Sequence, residues 1–229
     1  MEKTNSYSRT ASRGDGLETR AQIIQCAGKL IAANGYASTT SKAICQAAKV
    51  NMAAVNYHFG SREGLYMAVL QESHTYLMNL DVLNKLYTSR QSPEKKIAAL
   101  IDLYINSVLK EKNWYVKVWA RELVEPSPSF QEILQSSALP KLNLVVLIFA
   151  QYLELAVNDP RLYSCIFSTM APFVMLYLGP RHFVQQHLDK IFNEDELISS
   201  LKSNAMNSLS LYKKLYAEKS KKIVKKELT

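Results

Sequence analysis

Apolar residues recur three and four positions apart along this chain, which predicts helices. From Leu17 onward, Ile23, Ile24, Ala27, Leu30 and Ile31 line one face, and the pattern stops at Asn34-Gly35. Glycine after the last apolar turn ends a helix because it takes the left-handed conformation without a Cβ clash. Ser38, Thr39 and Thr40 then offer N-caps for a short second helix through Ala47 or Ala48, with Ile44 inward. After a break at Lys49-Val50-Asn51, Asn51 can cap a third short helix from Met52 to about His58. Gly60-Ser61 closes it, and Ser61 caps a long fourth helix starting near Arg62, with Leu65, Val69 and Leu70 on its inner side.

Beyond residue 80 the spacing stays helical, and prolines mark the starts. They predict helices near 94–111, 114–124, 128–137, 140–157, 160–178 and 181–191, then one over 194–216 that runs into a lysine-rich tail. Pro172 falls inside one of them, where a kink is expected. The most apolar stretch, LNLVVLIFAQYLELAV, is interrupted by Gln151 and Glu154 and fits a buried helix better than a membrane span. Residues 1–16 are polar and contain Gly14 and Gly16, so they read as a flexible arm. The expected fold class is all-α.

Composition narrows the class. Hydrophobic residues make up 48% and charged ones 21% of the 229 residues, the range of a globular chain. Seven glycines are too few for a fold wound on Gly-rich turns. The N-terminus has no apolar core and is no secretory signal. Cys26, Cys45 and Cys165 have no metal-like spacing and read as free thiols of a cytoplasmic protein. Charge sharpens the picture further. Residues 1–62 hold eight Lys/Arg against three Asp/Glu, residues 213–229 hold seven against two, and the stretch between is near neutral. A basic N-terminal block suits a polyanion partner, although a solvated basic surface gives the same count.

Two short helices joined by a tight turn and preceded by a supporting helix make a helix-turn-helix, whose second helix lies in the major groove of DNA. Thr39, Thr40 and Ser41 sit at a helix N-terminus, where hydroxyls and N–H groups favour phosphate. Ala53 and Ala54 are small enough for close approach to base edges, and the Asn56 amide can pair with adenine. Tyr57, His58 and Arg62 can each donate to phosphate. A histidine at such a position could equally be a core or capping residue, and Asn56 a solvated amide.

Catalysis finds little support. His58, His74, His182 and His187 lack metal-ligand spacing, and there is no Gly-rich phosphate loop or nucleophile elbow. Glu122 and Glu125 next to Arg121 suggest a structural ion pair rather than an acid–base pair. No catalytic residue, metal or cofactor is expected. The middle of the chain is rich in rings and thioethers, a helical core that could also line an apolar ligand site; Trp119, Phe149, Phe167 and Met170 are the candidates.

Residues 20–66, RAQIIQCAGKLIAANGYASTTSKAICQAAKVNMAAVNYHFGSREGLY, resemble the DNA-binding domain of the TetR family of bacterial repressors. The landmarks are NGY after the first helix, the TT before the second, and YHFGSREGLY. One departure is Lys49, where the family commonly has glycine in the turn. WARELVEPSPSF and DPRLYSCIFSTMAPFVMLYL are similar to the C-terminal region of CecR-like regulators. The resemblance implies phosphate contacts from Thr40, Ser41, Tyr57, His58 and Arg62, a groove-facing surface of Met52, Ala53, Ala54 and Asn56, and Phe59 turned inward. It implies an N-terminal three-helix DNA-binding domain over 17–62 and a larger helical ligand-binding and dimerisation domain over 63–216, followed by a basic tail over 217–229. The last long helices, near 160–178 and 194–216, are the expected dimer faces.

The function expected is a ligand-responsive transcription regulator, a repressor, binding a near-palindromic operator as a homodimer and released by a small apolar or aromatic molecule. A non-specific nucleic-acid binder and a transcription activator remain alternatives; a small-molecule enzyme is the weakest. No membrane partner is expected, and the tail reads as a solvated, frayed extension.

Overall fold

A computed structural model describes residues 7–107, 113–178 and 194–227, and all regular structure among them is helical. The elements are α1 (Tyr7–Asn34), α2 (Ser41–Ala48), α3 (Met52–Phe59), α4 (Arg62–Leu77), α5 (Leu80–Thr88), α6 (Pro93–Ile105), α7 (Trp114–Val124), α8 (Pro128–Ile133), α9 (Leu139–Leu153), α10 (Pro160–Leu178) and α11 (Glu194–Glu227). A π-helical turn, Leu134–Ala138, joins α8 to α9.

The caps fall where the local chemistry predicts. Gly35 after α1 has φ +84°, Thr40 accepts from Ala43 N at 3.1 Å, Asn51 accepts from Ala54 N at 2.9 Å, and Ser61 from Gly64 N at 3.0 Å. Several boundaries differ from the sequence pattern, among them the helix expected over 128–137, which ends at Ile133 where the π-helical turn begins. α1 begins at Tyr7, so residues 7–16, expected as a flexible arm, are helical; Gly14 and Gly16 take no left-handed turn, and Thr19 Oγ1 donates to Asp15 O at 2.7 Å, four residues back. α9 stops at Leu153 because Glu154 takes the left-handed cap at φ 56°. α11 continues through the basic tail to Glu227, since no glycine or proline interrupts residues 194–227. α5 has no counterpart in the proline-marked pattern; its start is set instead by Asn79, whose side chain accepts from Asp81 N and Val82 N. The helix expected over 181–191 lies outside the described residues, as does the end of the one expected over 94–111.

The chain divides into two compact units, residues 1–76 with 113–137, and residues 77–112 with 138–229. This contact-based division runs along a different line from the functional boundary at 62/63 read from the sequence. In the first unit, Ile23, Ile24, Ala27, Ile31, Ile44, Val55, Leu65, Val69 and Leu70 form a core with Trp114, Val118, Phe130 and Ile133. Burying each such aliphatic side chain contributes about 1.5–3 kcal/mol. α1 and α7 pack closely because Gly28 has no side chain: a Cβ there would run into the Trp114 ring. Trp114 Nε1 donates to Gln25 Oε1 at 2.9 Å, and Gln25 Nε2 donates to Tyr115 Oη at 2.7 Å.

In the second unit, α9 packs against α5, α6, α10 and α11. The stretch Pro128–Leu153 is long and apolar enough by length and composition to cross a membrane. Val145, Val146, Ile148, Phe149, Tyr152 and Leu153 are buried within the protein, the pattern of a core helix. Pro172 lies inside α10.

Candidate nucleic-acid interface

α2 and α3 are held by a polar clamp at the start of α2. Arg62, opening α4, lays its guanidinium over the Tyr36 ring at 4.4 Å and donates through Nη2 to Tyr36 O at 2.6 Å and Thr39 O at 3.0 Å. Tyr36 in turn stacks on Tyr66 at 4.0 Å. The Tyr66 hydroxyl donates to Glu122 Oε1, and Glu122 Oε2 accepts from Ser127 N at 2.7 Å. Burial first, then the Glu122 hydrogen bond, hold the Tyr66 phenol far above the ordinary tyrosine range. A second tie comes from Arg121, whose Nη2 donates to Ala33 O at 3.3 Å at the end of α1. Glu122, only 3% exposed, is thus a structural hydrogen-bond acceptor.

The turn between α2 and α3 contains the departure from glycine noted in the sequence. Lys49 has φ 54° and ψ 39°, a left-handed conformation that costs an L-residue about 1–2 kcal/mol. The αL cap lets Val50 N donate to Cys45 O at 3.0 Å, so the tight turn forms with lysine in place.

The site residues expected from sequence divide into two groups. Met52, Ala53, Asn56 and Tyr57 are exposed on α3, Tyr57 to 84%; Ala54 and His58 are half-buried, and Thr40 and Ser41 stand at the start of α2. Val55 alone of this helix is fully buried, so the opposite face of α3 is displayed. Phe59 packs partly against the core, with the Arg20 guanidinium 5.2 Å from its ring centre.

Thr39 and Arg62 belong to the other group. Thr39 is 2% exposed and its hydroxyl donates to Gly35 O at 2.7 Å, which removes it from any outward contact. Arg62 is turned onto carbonyls of the α1–α2 connection and its Nε is buried, so its charge organises the motif instead of facing solvent. Exposed Lys42, in the first turn of α2, is a phosphate-binding candidate that the sequence reading passed over; its position one residue past the N-cap pair is the signal for it.

The four candidate ligand residues are divided between the two units. Trp119 belongs to the first unit, stacked on His74 at 4.6 Å and edge-on to Phe130 at 4.8 Å. In the second unit Phe149 is fully buried, Met170 half-buried, and Phe167 lies on the outer surface of α10, 77% exposed. Tyr163 and Met175 share that exposed side at four- and eight-residue spacing from Phe167. Among the described residues no cluster of metal-ligating side chains occurs.

Comparison with known proteins places this geometry. Residues 23–69 match the model for bacterial regulatory proteins of the tetR family, and residues 93–209 match the C-terminal domain of the HTH-type transcriptional dual regulator CecR. No curated protein matches the sequence. Among solved structures, a TetR-like transcriptional regulator from Rhodococcus sp. RHA1 is 15% identical with a TM-score of 0.61, covering 84% of this chain and 96% of that one. The transcriptional regulator FadR from Bacillus subtilis, in complex with stearoyl-CoA, is 16% identical with a TM-score of 0.61, covering 82% and 96%. A TetR/AcrR family regulator from Thermobifida fusca YX-ER1 is 16% identical with a TM-score of 0.57, covering 83% and 97%. At these identities the likeness is one of fold.

Proposed function

Because this chain belongs to the TetR family of bacterial regulatory proteins, and so to transcription factors rather than enzymes, we propose that it is a ligand-released repressor. It binds a near-palindromic operator as a cytoplasmic homodimer, with α3 of each protomer in a major groove about one helical turn from the other. The observation that carries this reading is the display of Met52, Ala53, Asn56 and Tyr57 on α3, outside the core that Val55 joins. Thr40, Ser41, Tyr57 and His58 meet phosphate in this arrangement, while Ala53, Ala54 and Asn56 approach base edges. The DNA-binding domain spans 17–62 and the regulatory domain 63–216.

Tyr163, Phe167 and Met175 support α10 as part of the dimer face, since pairing two copies would cover a row of large apolar side chains. For the ligand, Phe149 and Met170 supply apolar surface in the second unit. Thr169 Oγ1, buried there with no hydrogen-bond partner, supplies a polar anchor. The acyl chain of stearoyl-CoA held by the Bacillus subtilis FadR structure supports an apolar ligand. Such a ligand releases DNA only by binding the non-operator arrangement more tightly than the operator-bound one.

The test is binding of the full chain to DNA upstream of its own gene against a scrambled duplex at fixed salt. A preference of at least about 1,000-fold is expected for the specific duplex. Equal affinities would overturn the reading in favour of non-specific nucleic-acid binding.

A further inference from the structure

We propose that Lys141, Tyr104 and Thr169 form a carboxylate-binding site at one end of the α6–α9–α10 packing in the second unit, and that the molecule releasing DNA is an organic acid with an apolar body. The proposal rests on the ligand-released reading above and names the chemistry of that ligand.

The packing brings the three side chains to one level. Lys141, Val145, Ile148 and Tyr152 are buried on one face of α9, and Leu162, Thr169 and Phe173 on one face of α10. The short connection over 154–159 turns the chain back, so α9 and α10 pack antiparallel. Counted away from that turn, Lys141 and Phe173 each lie about 18–20 Å along their helices, with Thr169 one turn nearer. α6 gives the same level independently. Lys96 Nζ donates to Gln151 Oε1 at 3.4 Å, which sets the start of α6 beside the end of α9. From that pair, Tyr104 is about 12 Å along α6 and Lys141 about 15 Å back along α9. The Tyr104 ring then meets the Phe173 ring edge-on at 6.4 Å.

Each of the three brings hydrogen-bonding capacity into an apolar region. Thr169 is 4% exposed and its Oγ1 has no hydrogen-bond partner, a cost that folded chains rarely keep. Lys141 is 6% exposed and burial lowers its pKa, so an anion brought alongside would favour its charged form. Tyr104 is half-buried with its hydroxyl end inside, since burial pushes the phenol up to about 12 and keeps it a neutral donor. An ammonium and two hydroxyls match the two oxygens and single charge of a carboxylate. The other buried lysine among the described residues, Lys96, sits at the opposite end of α6, donating to Tyr87 O and Gln151 Oε1. One cation at the site suits a monoanion better than a phosphate. Phe149, about two turns from Lys141 on α9 and fully buried, supplies surface for the apolar body.

Calorimetric titration of the full chain with octanoate, 4-phenylbutyrate and 2-naphthoate, each against its primary alcohol, reads the site without DNA. At least one acid is expected to bind about tenfold or more tightly than its alcohol, the strength of a charge-assisted hydrogen bond. Lys141→Met keeps the length of the side chain, removes the charge and should abolish that preference. Thr169→Val should weaken the acid about 3- to 10-fold while raising the melting temperature of the free protein, because an unpaired buried hydroxyl is gone. Should Lys141→Met fail to fold by circular dichroism, Tyr104→Phe carries the test, with acid affinity lowered about 3- to 10-fold and alcohol affinity unchanged. Equal binding of acids and alcohols, an acid preference that survives Lys141→Met, or no binding by any of the three acids overturns the proposal. Binding of the same samples to the duplex from upstream of the gene separates the two readings. If the alcohols release that duplex and the acids do not, ligand release stands and the carboxylate site falls. If the acids bind through Lys141 and leave the duplex bound, the site stands and release by this ligand falls.

Discussion

Two clusters of rings and polar groups, one including Arg62 and the other Tyr57 five residues before it, do opposite things. At the start of α2, Tyr36, Arg62, Tyr66 and Glu122 stack and hydrogen-bond among themselves and to the carbonyls of the α1–α2 connection. On α3, Asn56 and Tyr57 are exposed, and Tyr57 contacts the neighbouring His58 ring edge-on at 5.0 Å. Both clusters have side chains that could bind phosphate. What separates them is whether the donors are already engaged within the protein. A guanidinium on three carbonyls is scaffold; an exposed phenol on a rigid helix is available for recognition.

The strongest way to break this contrast is to remove the buried acceptor. Glu122→Ala leaves the Tyr66 hydroxyl and Ser127 N–H without their partner, and is expected to destabilise the protein by about 3 kcal/mol in urea unfolding. The pH dependence has a defined sign. Folding raises the Tyr66 phenol, so its contribution is complete below the ordinary tyrosine pKa of about 10 and declines as pH rises above it. Tyr66→Phe should flatten that alkaline decline. A loss for Glu122→Ala no larger than for an exposed carboxylate would show that the cluster is not scaffold.

Next in size is Gly28→Ala. The added methyl meets the Trp114 ring and forces α1 and α7 apart, at an expected cost of about 2 kcal/mol. Trp114 fluorescence should shift to the red as the ring loses burial. An unshifted spectrum with unchanged stability would mean that this packing yields easily.

Local signals made most of the helix-turn-helix legible. Asn34-Gly35, Thr40, Asn51 and Ser61 each act through atoms one to four residues away, and each ends or starts a helix as its chemistry predicts. The arm over residues 7–16 and the start of α5 were not legible in the same way. Two glycines argued for disorder in the first case, yet each costs a helix only about 1 kcal/mol and neighbouring residues carried it through. α5 begins on an asparagine cap in a stretch where only prolines had been taken as marks. For the proposed site, helical register was enough to expect Met52, Ala53, Asn56 and Tyr57 on the outward side of α3, where the structure exposes them. Arg62 and Thr39 were beyond that kind of reasoning. Their partners are backbone carbonyls made available by the fold, and no spacing in the sequence encodes a guanidinium turned back over 23 residues to Thr39.

Lys49→Gly sharpens the comparison from the turn that joins its two sides. The left-handed conformation is strained for lysine and ordinary for glycine, while glycine loses more chain entropy on folding. The difference favours glycine by about 0.5–1 kcal/mol. Urea unfolding should show a stabilisation of that order, with operator binding changed only by the loss of one exposed cation. Destabilisation instead would mean that the lysine side chain makes up for the strain through contacts in the turn.

The smallest expected change in stability belongs to Tyr57→Ala, and it is the one that tests the contrast most directly. With 84% of Tyr57 exposed and no core contact to lose, truncation is expected to alter unfolding by less than about 0.5 kcal/mol and to leave helicity and dimerisation unchanged. Its effect should appear in operator affinity, as a uniform weakening across related duplex sequences, because a phosphate contact carries no base preference. Asn56→Ala should instead weaken binding at particular base pairs, about 1–3 kcal/mol each. Measured together, the two variants divide the α3 face into a positioning half and a reading half. If Tyr57→Ala unfolds the chain as Glu122→Ala does, then exposure does not distinguish recognition from scaffold here, and Tyr57 belongs with Tyr36 and Tyr66.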